Sequence, residues 1–347
     1  MVMTLNVGVI GTGMIGQDHI RRLTHVLSGA RVAAVADTDL ERAKSAADHA
    51  PGSRVHHSGL DLVADENIDA VVVCSWGAAH PEPVLACIAA GKPVFCEKPL
   101  ATTEQACGQI VDAEVAAGRR LVTVGFMRRY DAGYRAMRHA LSRGEIGAPL
   151  IMHSAHRNAS VPGRVTSEMI VVDTCVHDVD VARWLLDAEV AAAQVLTPRR
   201  NSRAAAPLQD PLILLLEMSS GALVDIEVLI NSGYGYDIRG EVVGETGTVE
   251  LAETAAVLVK RDGGFRGRVP ADWRERFARA YDAELQDWID AASAGTATGP
   301  SSWDGYAATV ATGAGVHALH SAARVQVSMR RRPGLYRPAA AAAGPAA

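Results

Sequence analysis

The chain has 347 residues and a formal net charge of −5, so it is long enough for two ordinary domains and only mildly acidic. No basic cluster predicts nucleic-acid binding, since the longest run, residues 330–332, is typical of a solvated stretch beside the C-terminus. No apolar segment approaches the ~18 residues of a membrane span, and the first strand begins too early to leave room for a signal peptide.

The five cysteines form no C-x-x-C pair. Their odd number and their places in apolar segments predict buried thiols in a reducing cytoplasm. The alanine-rich end from Pro338 onward is of low complexity and is predicted to be disordered.

The chain opens with a strand, a glycine-rich turn and a helix. The apolar strand at residues 7–10 leads into a turn with the G-x-G-x-x-G spacing, Gly11-Thr12-Gly13-Met14-Ile15-Gly16. Gly11 permits the tight turn, Gly13 lets a pyrophosphate approach the backbone, and Gly16 allows the helix to pack closely on the strand. The helix N-terminus then presents unpaired N–H groups and its positive dipole end to the phosphates.

The second predicted strand, residues 31–37, ends in Asp37. A carboxylate at that position can accept hydrogen bonds from a ribose diol, so the segment predicts a dinucleotide site. The alternative is a glycine-rich turn in some other α/β sheet. Asp37 would repel a 2′-phosphate, and Thr38 follows it instead of a neutralising arginine. The sequence therefore predicts NAD rather than NADP.

Strands and helices alternate as far as Gly125, which predicts a parallel sheet with helices on both faces. The strand at residues 69–74 ends in a loop at the edge where such sheets bind ligands. Ser75 and Trp76 in this loop are therefore expected at the cofactor. His80 can also touch the cofactor, or it can merely cap or pack at the start of a helix.

The strand at residues 93–96 ends in Glu97-Lys98-Pro99. This position puts the Lys98 ammonium into the cofactor crevice, with Glu97 beside it, and Pro99 restricts Lys98 to extended backbone conformations. Lys98 is thus a candidate for the nicotinamide end of the site, although a surface lysine is the alternative. The sequence leaves open whether the Lys-Pro bond is cis.

A helix pattern at residues 169–186 places Asp173 and His177 one turn apart. Oxidation of an alcohol with a nicotinamide cofactor needs a base, and His177 suits this because histidine titrates near neutrality. Asp173 can fix the tautomer of His177 or bind a substrate hydroxyl, and Lys98 can hydrogen-bond the reacting oxygen. Such a pair is also common on solvated helices. No third ligand with recognisable spacing accompanies it, so no metal site is predicted.

The later segments predict a mostly antiparallel open sheet and two long helices. The predicted strands are residues 189–197, 211–218, 222–229, 236–244, 248–252 and 256–260, with a hairpin turn at 245–247, and the helices are residues 273–294 and 303–323.

The fold class predicted from these segments is α/β. It combines an N-terminal Rossmann domain with a doubly wound parallel sheet, residues 1–126, and a C-terminal α+β domain with a large, mostly antiparallel open sheet, residues 127–330. Residues 331–347 are predicted to form a disordered tail. The uncovered sheet face is a candidate interface with a partner subunit.

Together these motifs resemble the Gfo/Idh/MocA oxidoreductases. The shared motifs are GVIGTGMIG at residues 8–16, EKP at 97–99, the Asp173-x-x-x-His177 pair, Asp180 and RWLL at 183–186. Further segments resemble the inositol dehydrogenase branch of that family: GFMRRYD at 125–131, HRN at 156–158, YGYDIRGEVVGE at 234–245, YDAELQDW at 281–288 and GPSSWDGY at 299–306. The resemblance covers about residues 7–327.

The resemblance implies NAD-dependent oxidation of myo-inositol at its axial hydroxyl to 2-keto-myo-inositol, in inositol catabolism, by a cytoplasmic homotetramer joined through its C-terminal sheets. It implies that Lys98, Asp173 and His177 are the catalytic residues. The residues implied to contact the polyol besides these three are Arg128, His156, Asn158 and Tyr236. Residues 160–167 and 201–210 look individual to this chain, and the first of these loops can alter which cyclitol fits.

Two alternatives stay open. The first is a dehydrogenase for another substrate on the same scaffold, such as scyllo-inositol, chiro-inositol or glucose. The second is a nucleotide-sensing regulator that keeps the fold without catalysis, against which the intact Lys98, Asp173 and His177 argue.

Overall fold

A computed structural model describes residues 4–252 and 257–337 of the chain. Within these residues, the N-terminal sheet contains six parallel strands in the order β3-β2-β1-β4-β5-β6. The strands are Leu5–Ile10 (β1), Ala30–Ala36 (β2), Arg54–His56 (β3), Ala70–Val73 (β4), Val94–Glu97 (β5) and Val122–Gly125 (β6). This order reverses between β1 and β4, which is the doubly wound arrangement that the sequence predicts.

Five helices accompany this sheet in the described residues. They are Met14–His25 (α1), Leu40–Asp48 (α2), Gly59–Ala64 (α3), Pro81–Ala90 (α4) and Glu104–Ala117 (α5). The turn between β1 and α1 requires glycine, because Gly11 has a φ of 89° and a Cβ there would lie 2.4 Å from the backbone nitrogen of Ser75. A Cβ on Gly16 would lie 2.0 Å from the carbonyl oxygen of Gly11, so α1 packs directly on the turn.

The second sheet has seven strands in the described residues, in the order β12-β11-β7-β10-β9-β8-β15. They are Pro149–Arg157 (β7), Val190–Leu196 (β8), Leu212–Met218 (β9), Leu223–Leu229 (β10), Asp237–Gly244 (β11), Thr248–Glu250 (β12) and Val325–Gln326 (β15). Only the β7–β10 pair is parallel, which confirms the mostly antiparallel sheet. The predicted hairpin turn at residues 245–247 joins β11 to β12.

One predicted strand of this sheet is wrong. Residues 256–260 were expected to extend the large sheet, but Leu258–Arg261 (β13) pairs with Gly264–Gly267 (β14) in a separate hairpin. Residue 256 lies outside the described part. The cause is local, because Asp262 and Gly263 both adopt positive φ and close a tight turn that pairs β13 with the segment after it.

The remaining α-helices belong to the C-terminal part of the described chain. They are Ala132–Ser142 (α6), Ser167–Met169 (α7), Cys175–Leu186 (α8), Trp273–Ser293 (α9) and Ser302–Ser321 (α10), and short 3₁₀ turns cover Gly77–Ala79, Met127–Tyr130 and Gly334–Tyr336. The helix predicted at residues 169–186 is interrupted by a π-helical turn, Ile170–Thr174. Trp288 and Ile289 of α9 pack with Val7 and Val9 of β1, so this late helix covers the N-terminal sheet.

The C-terminal tail is ordered further than predicted. Tyr336 is buried, and its hydroxyl lies 3.0 Å from both Ser302 Oγ and Glu114 Oε2, so residues 331–337 are fixed against the body of the protein. The alanine-rich segment, residues 338–347, lies outside the described residues.

No helix in residues 4–252 or 257–337 is both long and apolar enough to cross a membrane. The five cysteines are buried and unpaired.

Candidate active site

A cavity of about 700 Å³ lies where the order of the N-terminal strands reverses. Several residues predicted to bind the cofactor line it: Gly11, Gly13, Met14, Ile15, Asp37, Ser75 and Trp76. Other residues of that predicted set do not line it, namely Thr12, Gly16, His80, Glu97 and Lys98. The cavity thus contains the first group in its lining, and cofactor binding by either group stays a prediction.

The glycine turn forms a cradle for a phosphate group. A Cβ on Gly13 would meet no atom within 4 Å, so open space faces the backbone that caps α1. The first turn of α1 contains no acidic residue, which leaves its N-terminal dipole uncompensated by side chains. This open, positively polarised backbone fits the pyrophosphate of a dinucleotide.

Asp37 lies at the end of the cavity beside β2. Its Oδ2 accepts hydrogen bonds from the backbone nitrogen and hydroxyl of Thr12, at 2.7 and 3.0 Å, and its Oδ1 accepts one from Asp39 N at 2.9 Å. Burial acts to raise the pKa of the Asp37 carboxyl, but these hydrogen bonds outweigh it and lower the pKa. Asp37 is therefore a fixed carboxylate.

The sequence analysis did not predict one positively charged side chain at this end of the cavity. Arg42 also lines the cavity, with Nη2 at 3.2 Å from Asp39 Oδ2 and 3.9 Å from Asp37 Oδ1. Because α2 begins at Leu40, its first turn brings this arginine back toward the strand end, a placement that the residue next to Asp37 does not reveal.

His80 takes the packing role that was its alternative. Its two ring nitrogens lie 2.8 Å from the carbonyl oxygens of Pro99 and Ser75, and the residue is buried. Burial lowers the pKa of the His80 ring. His80 thus joins the loop that contains Trp76 to the cis Lys98–Pro99 peptide.

Glu97 faces the interior beneath the site. Its Oε1 lies 2.8 Å from Nε2 of His19 on α1, and its Oε2 accepts a hydrogen bond from Lys98 N at 3.1 Å. The carboxylate therefore fixes the start of the Lys98 segment, and its side chain is committed to protein partners.

Lys98 and Asp173 meet at the boundary between the two sheets. The Lys98 ammonium donates a hydrogen bond to the backbone carbonyl of Asp173 at 3.1 Å and lies 3.9 Å from its Oδ1. Asp173 lies in the π-helical turn, where the hydrogen-bond spacing differs from that of a regular α-helix. The side chain of Asp173 remains about half exposed.

His177 lies on α8 in the same site and is 7% exposed. Burial lowers the pKa of its imidazole well below the usual 6.5, and the nearby charges of Lys98 and Arg128 lower it further. The ring is therefore neutral at neutral pH and able to accept a proton. Its Nδ1 is buried and has no hydrogen-bond partner among the described residues.

Asp173 and His177 are brought to one site but share no hydrogen bond in the described structure. The π-helical turn inserts an i→i+5 spacing before α8, so the two side chains are not stacked as a regular helix would stack them. Of the two roles considered for Asp173, hydrogen bonding to substrate fits this geometry better than fixing the tautomer of His177.

The sequence did not identify Asp178 as part of the site. Its buried carboxylate accepts hydrogen bonds from Arg128 Nη1 at 2.5 Å and from Ser154 Oγ at 2.7 Å, and it lies 3.0 Å from His156 Nδ1. Although burial disfavours its charge, the Arg128 guanidinium lowers the pKa of Asp178 well below its usual value. The available signal was its position directly after the candidate base His177.

The predicted polyol contacts surround this ion pair. Arg128 is buried against Asp178 and His156, and its Nε has no partner among the described residues. The Tyr236 hydroxyl lies 3.5 Å from His156 Nε2. Asn158, just past the end of β7, has a buried Oδ1 without a partner in the described part of the chain. Unsatisfied buried polar atoms at Asn158 and His177 indicate a polar ligand.

The arrangement suits oxidation of an alcohol beside a dinucleotide. A neutral imidazole can take the hydroxyl proton, and the ammonium of Lys98 can stabilise negative charge on the oxygen. In residues 4–252 and 257–337, no group of three or more His, Cys, Asp or Glu side chains could hold a metal ion.

Comparison with known protein families gives a match for each of the two domains. Residues 5–126 match the family model described as an oxidoreductase family with an NAD-binding Rossmann fold, and residues 134–250 match the Gfo/Idh/MocA C-terminal domain.

Individual relatives match nearly the whole chain. Inositol 2-dehydrogenase 3 of Saccharopolyspora erythraea is 55% identical over 334 residues, covering 96% of this chain and 98% of that protein. The inositol 2-dehydrogenase of Acidiphilium cryptum is 52% identical over 96% of this chain and 100% of its own. The crystal structure of myo-inositol dehydrogenase from Lactobacillus casei, in complex with NAD(H) and myo-inositol, superposes with a TM-score of 0.94 at 37% identity, covering 96% of this chain and 100% of that one.

Proposed function

Because this chain belongs to the Gfo/Idh/MocA family of NAD-binding oxidoreductases, we propose that it oxidises myo-inositol at the axial hydroxyl to 2-keto-myo-inositol with NAD. The observation that carries the proposal is the buried His177, whose Nδ1 has no partner among the described residues and whose pKa is lowered by burial and by the nearby Lys98 ammonium. The names and substrates of the relatives described above support the choice of polyol.

The reaction needs one proton and one hydride to leave the alcohol. Bound NAD supplies the acceptor for the hydrogen that leaves carbon with its electron pair. The neutral imidazole of His177 takes the hydroxyl proton, and the oxygen then forms the carbonyl. A positioned base of this kind contributes about 10²–10⁴-fold to the rate.

Lys98 and Asp173 interact with the hydroxyl groups of the substrate in this proposal. The hydrogen bond from Lys98 to the Asp173 carbonyl holds the ammonium at the site, where it stabilises charge that develops on the substrate oxygen. The half-exposed Asp173 carboxylate can accept a hydrogen bond from a substrate hydroxyl. Lys98 near His177 also keeps the base neutral.

A polyol carries many hydroxyls and no charge, so its recognition depends on donors and acceptors. His156, Asn158 and Tyr236 provide these groups, and the unpartnered Asn158 Oδ1 is suited to accept from a hydroxyl. Arg128 remains a predicted polyol contact, and its ion pair with Asp178 positions the carboxylate that contacts His156.

The test is NADH formation by the purified protein with NAD and myo-inositol, with parallel reactions that contain NADP, scyllo-inositol, chiro-inositol or glucose. Rapid NADH formation with myo-inositol, and a 2-keto product, would support the proposal. Turnover with another polyol alone would reassign the substrate on the same scaffold. Absence of turnover in every reaction, with NADH binding intact, would favour the nucleotide-sensing regulator.

The proposal extends to assembly and location. The outer face of the second sheet exposes apolar side chains such as Leu223 and Ile151, which pair across β10 and β7. We infer that this face joins subunits into a homotetramer, which sedimentation analysis of the wild type and of Leu223→Glu can test.

The unpaired cysteines are typical of the cytoplasm, where the enzyme would act in inositol catabolism.

A further inference from the structure

The segment between Asn158 and the catalytic π-helical turn reaches the cofactor cavity. This loop, residues 160–167, was expected to affect the choice of cyclitol. Arg164 of the loop instead lines the cofactor cavity, whereas every other residue that lines it comes from residues 10–83. Arg164 is therefore the point at which the second domain reaches the predicted cofactor.

The charged side chains around this cavity suggest that Arg164 meets a negatively charged group of the cofactor. The glycine turn contains no basic side chain, so it offers a pyrophosphate only backbone groups and the helix dipole. Arg42 is held at the other end by Asp39 and Asp37. Glu82 and Asp37 supply negative charge to the lining. Arg164 is exposed and makes no ion pair or hydrogen bond through its side chain within the described residues.

The turn that presents Arg164 is held at both sides. Val165 N donates to the carbonyl of Pro162 at 3.1 Å, which closes the turn around Arg164. Before it, Gly233 N donates to the carbonyl of Ala159 at 2.9 Å. After it, the Ser167 hydroxyl accepts a hydrogen bond from Gln209 N at 2.9 Å. Arg164 thus extends from a backbone that the second domain fixes.

We propose that the Arg164 guanidinium, which lines the cavity from the second domain, binds the pyrophosphate of NAD, so that both domains hold the cofactor. Guanidinium groups suit this role because their planar donors match phosphate oxygens in pairs. The proposal rests on NAD binding and not on the identity of the polyol. It also links the cofactor to the segment that carries Asp173, which follows on the same stretch of chain.

Calorimetric titration with NADH and with ADP-ribose tests this assignment, because ADP-ribose keeps the pyrophosphate and lacks the nicotinamide. Arg164→Ala should weaken both ligands by about tenfold, as expected for loss of a charge-assisted hydrogen bond. Arg164→Lys should recover part of that affinity. Arg200→Ala is the matched control, because Arg200 is exposed and lies outside the cavity lining, and it should bind both ligands like the wild type.

Three results would overturn the proposal. Unchanged affinity of Arg164→Ala for both ligands would remove the contact, and a loss of affinity for NADH alone would move the contact to the nicotinamide half. Equal losses in the Ala and Lys variants, with a changed melting temperature, would assign the effect to loop structure. Failure of the polyol assignment would leave these titrations unaffected, because they contain no polyol.

Discussion

The Oδ2 atom of Asp178 lies 3.0 Å from the Nδ1 atom of His156 in the interior of the protein. Arg128 Nη2 approaches the same ring nitrogen at 2.9 Å. Nδ1 cannot donate to Asp178 and accept from Arg128 at once. The Asp178 carboxylate can only accept, and Arg128 already donates to it through Nη1, so the favoured tautomer carries its proton on Nδ1. Donation to Asp178 leaves Nε2 as an acceptor beside the Tyr236 hydroxyl. Asp178, which follows the proposed base His177 in the chain, therefore determines how His156 hydrogen-bonds to Tyr236 among the predicted polyol contacts.

Asp178→Asn should destabilise the fold, because it leaves the buried Arg128 charge without its partner. We expect the free energy of unfolding to fall by about 3–5 kcal/mol, measured by chemical denaturation. Asp187→Asn is the control, since Asp187 is exposed and lies 3.8 Å from Arg138, and it should change by less than about 1 kcal/mol. Equal stability of the two variants would contradict the importance of the buried pair.

His177→Ala should remove the base and leave the cofactor site intact. We expect kcat to fall by about 10²–10⁴-fold while the Kd of NADH stays unchanged. His49→Ala, on an exposed position of the N-terminal domain, should keep wild-type turnover. A His177→Ala enzyme that retains full turnover would exclude His177 as the base.

The pH dependence of kcat/KM for the polyol should follow the lowered pKa of His177. The base form is the active form, and burial moves its pKa below 6.5, so activity should be level above that pH and should fall only below it. Lys98→Met removes a positive charge that lowers this pKa. The acidic limb of the pH profile of Lys98→Met should therefore lie at higher pH than that of the wild type, even though turnover by the variant is slower. An acidic limb at or above 7 in the wild type would contradict the neutral buried base.

Asp37→Ala should reduce the preference for NAD over NADP. The change removes an acceptor for the ribose diol and a negative charge that repels a 2′-phosphate, while Arg42 stays in the cavity. The ratio of kcat/KM values should fall by at least about tenfold, which equals about 1.4 kcal/mol. Adding Arg42→Ala should abolish any gain with NADP. An unchanged ratio in Asp37→Ala would exclude Asp37 as the selective residue.

Two glycines of the same turn should respond differently to alanine. Gly13→Ala points its methyl group into open space, so the melting temperature should hold while NADH binding weakens, because the methyl group occupies the approach of the pyrophosphate. Gly11→Ala combines a positive φ with a backbone clash and should cost at least about 1–3 kcal/mol of stability. Calorimetry of folding and binding separates the two effects. Tight NADH binding by Gly13→Ala would argue against the cradle.

The site residues that the sequence analysis selected lie in motifs that are local in the chain. The glycine turn, Asp37 and the Lys98 segment each follow a strand, and parallel strands bring their ends to one edge. Such motifs can be located without knowing the distant packing. The Asp262-Gly263 turn is equally local, but the sequence analysis did not use it and therefore assigned residues 256–260 to the wrong sheet.

The features that sequence missed depend on long-range packing or on a change of helical spacing. Arg164 reaches the cavity from the other domain, and Arg42 reaches it by the geometry of α2. The π-helical turn at residues 170–174 has no residue signature that we could recognise, yet it determines how Asp173 faces Lys98. Asp178 directly follows His177 in the sequence, but its partners Arg128 and His156 lie 50 and 22 residues away.

The most direct measurement uses myo-inositol that carries deuterium at the carbon of its axial hydroxyl, with NAD as acceptor, and determines the mass of the NADH formed. The account predicts NADH that contains one deuterium, together with 2-keto-myo-inositol, and a much slower appearance of both with His177→Ala. Unlabelled NADH from the labelled substrate, or no NADH from a protein that binds the cofactor, would contradict hydride transfer from that carbon.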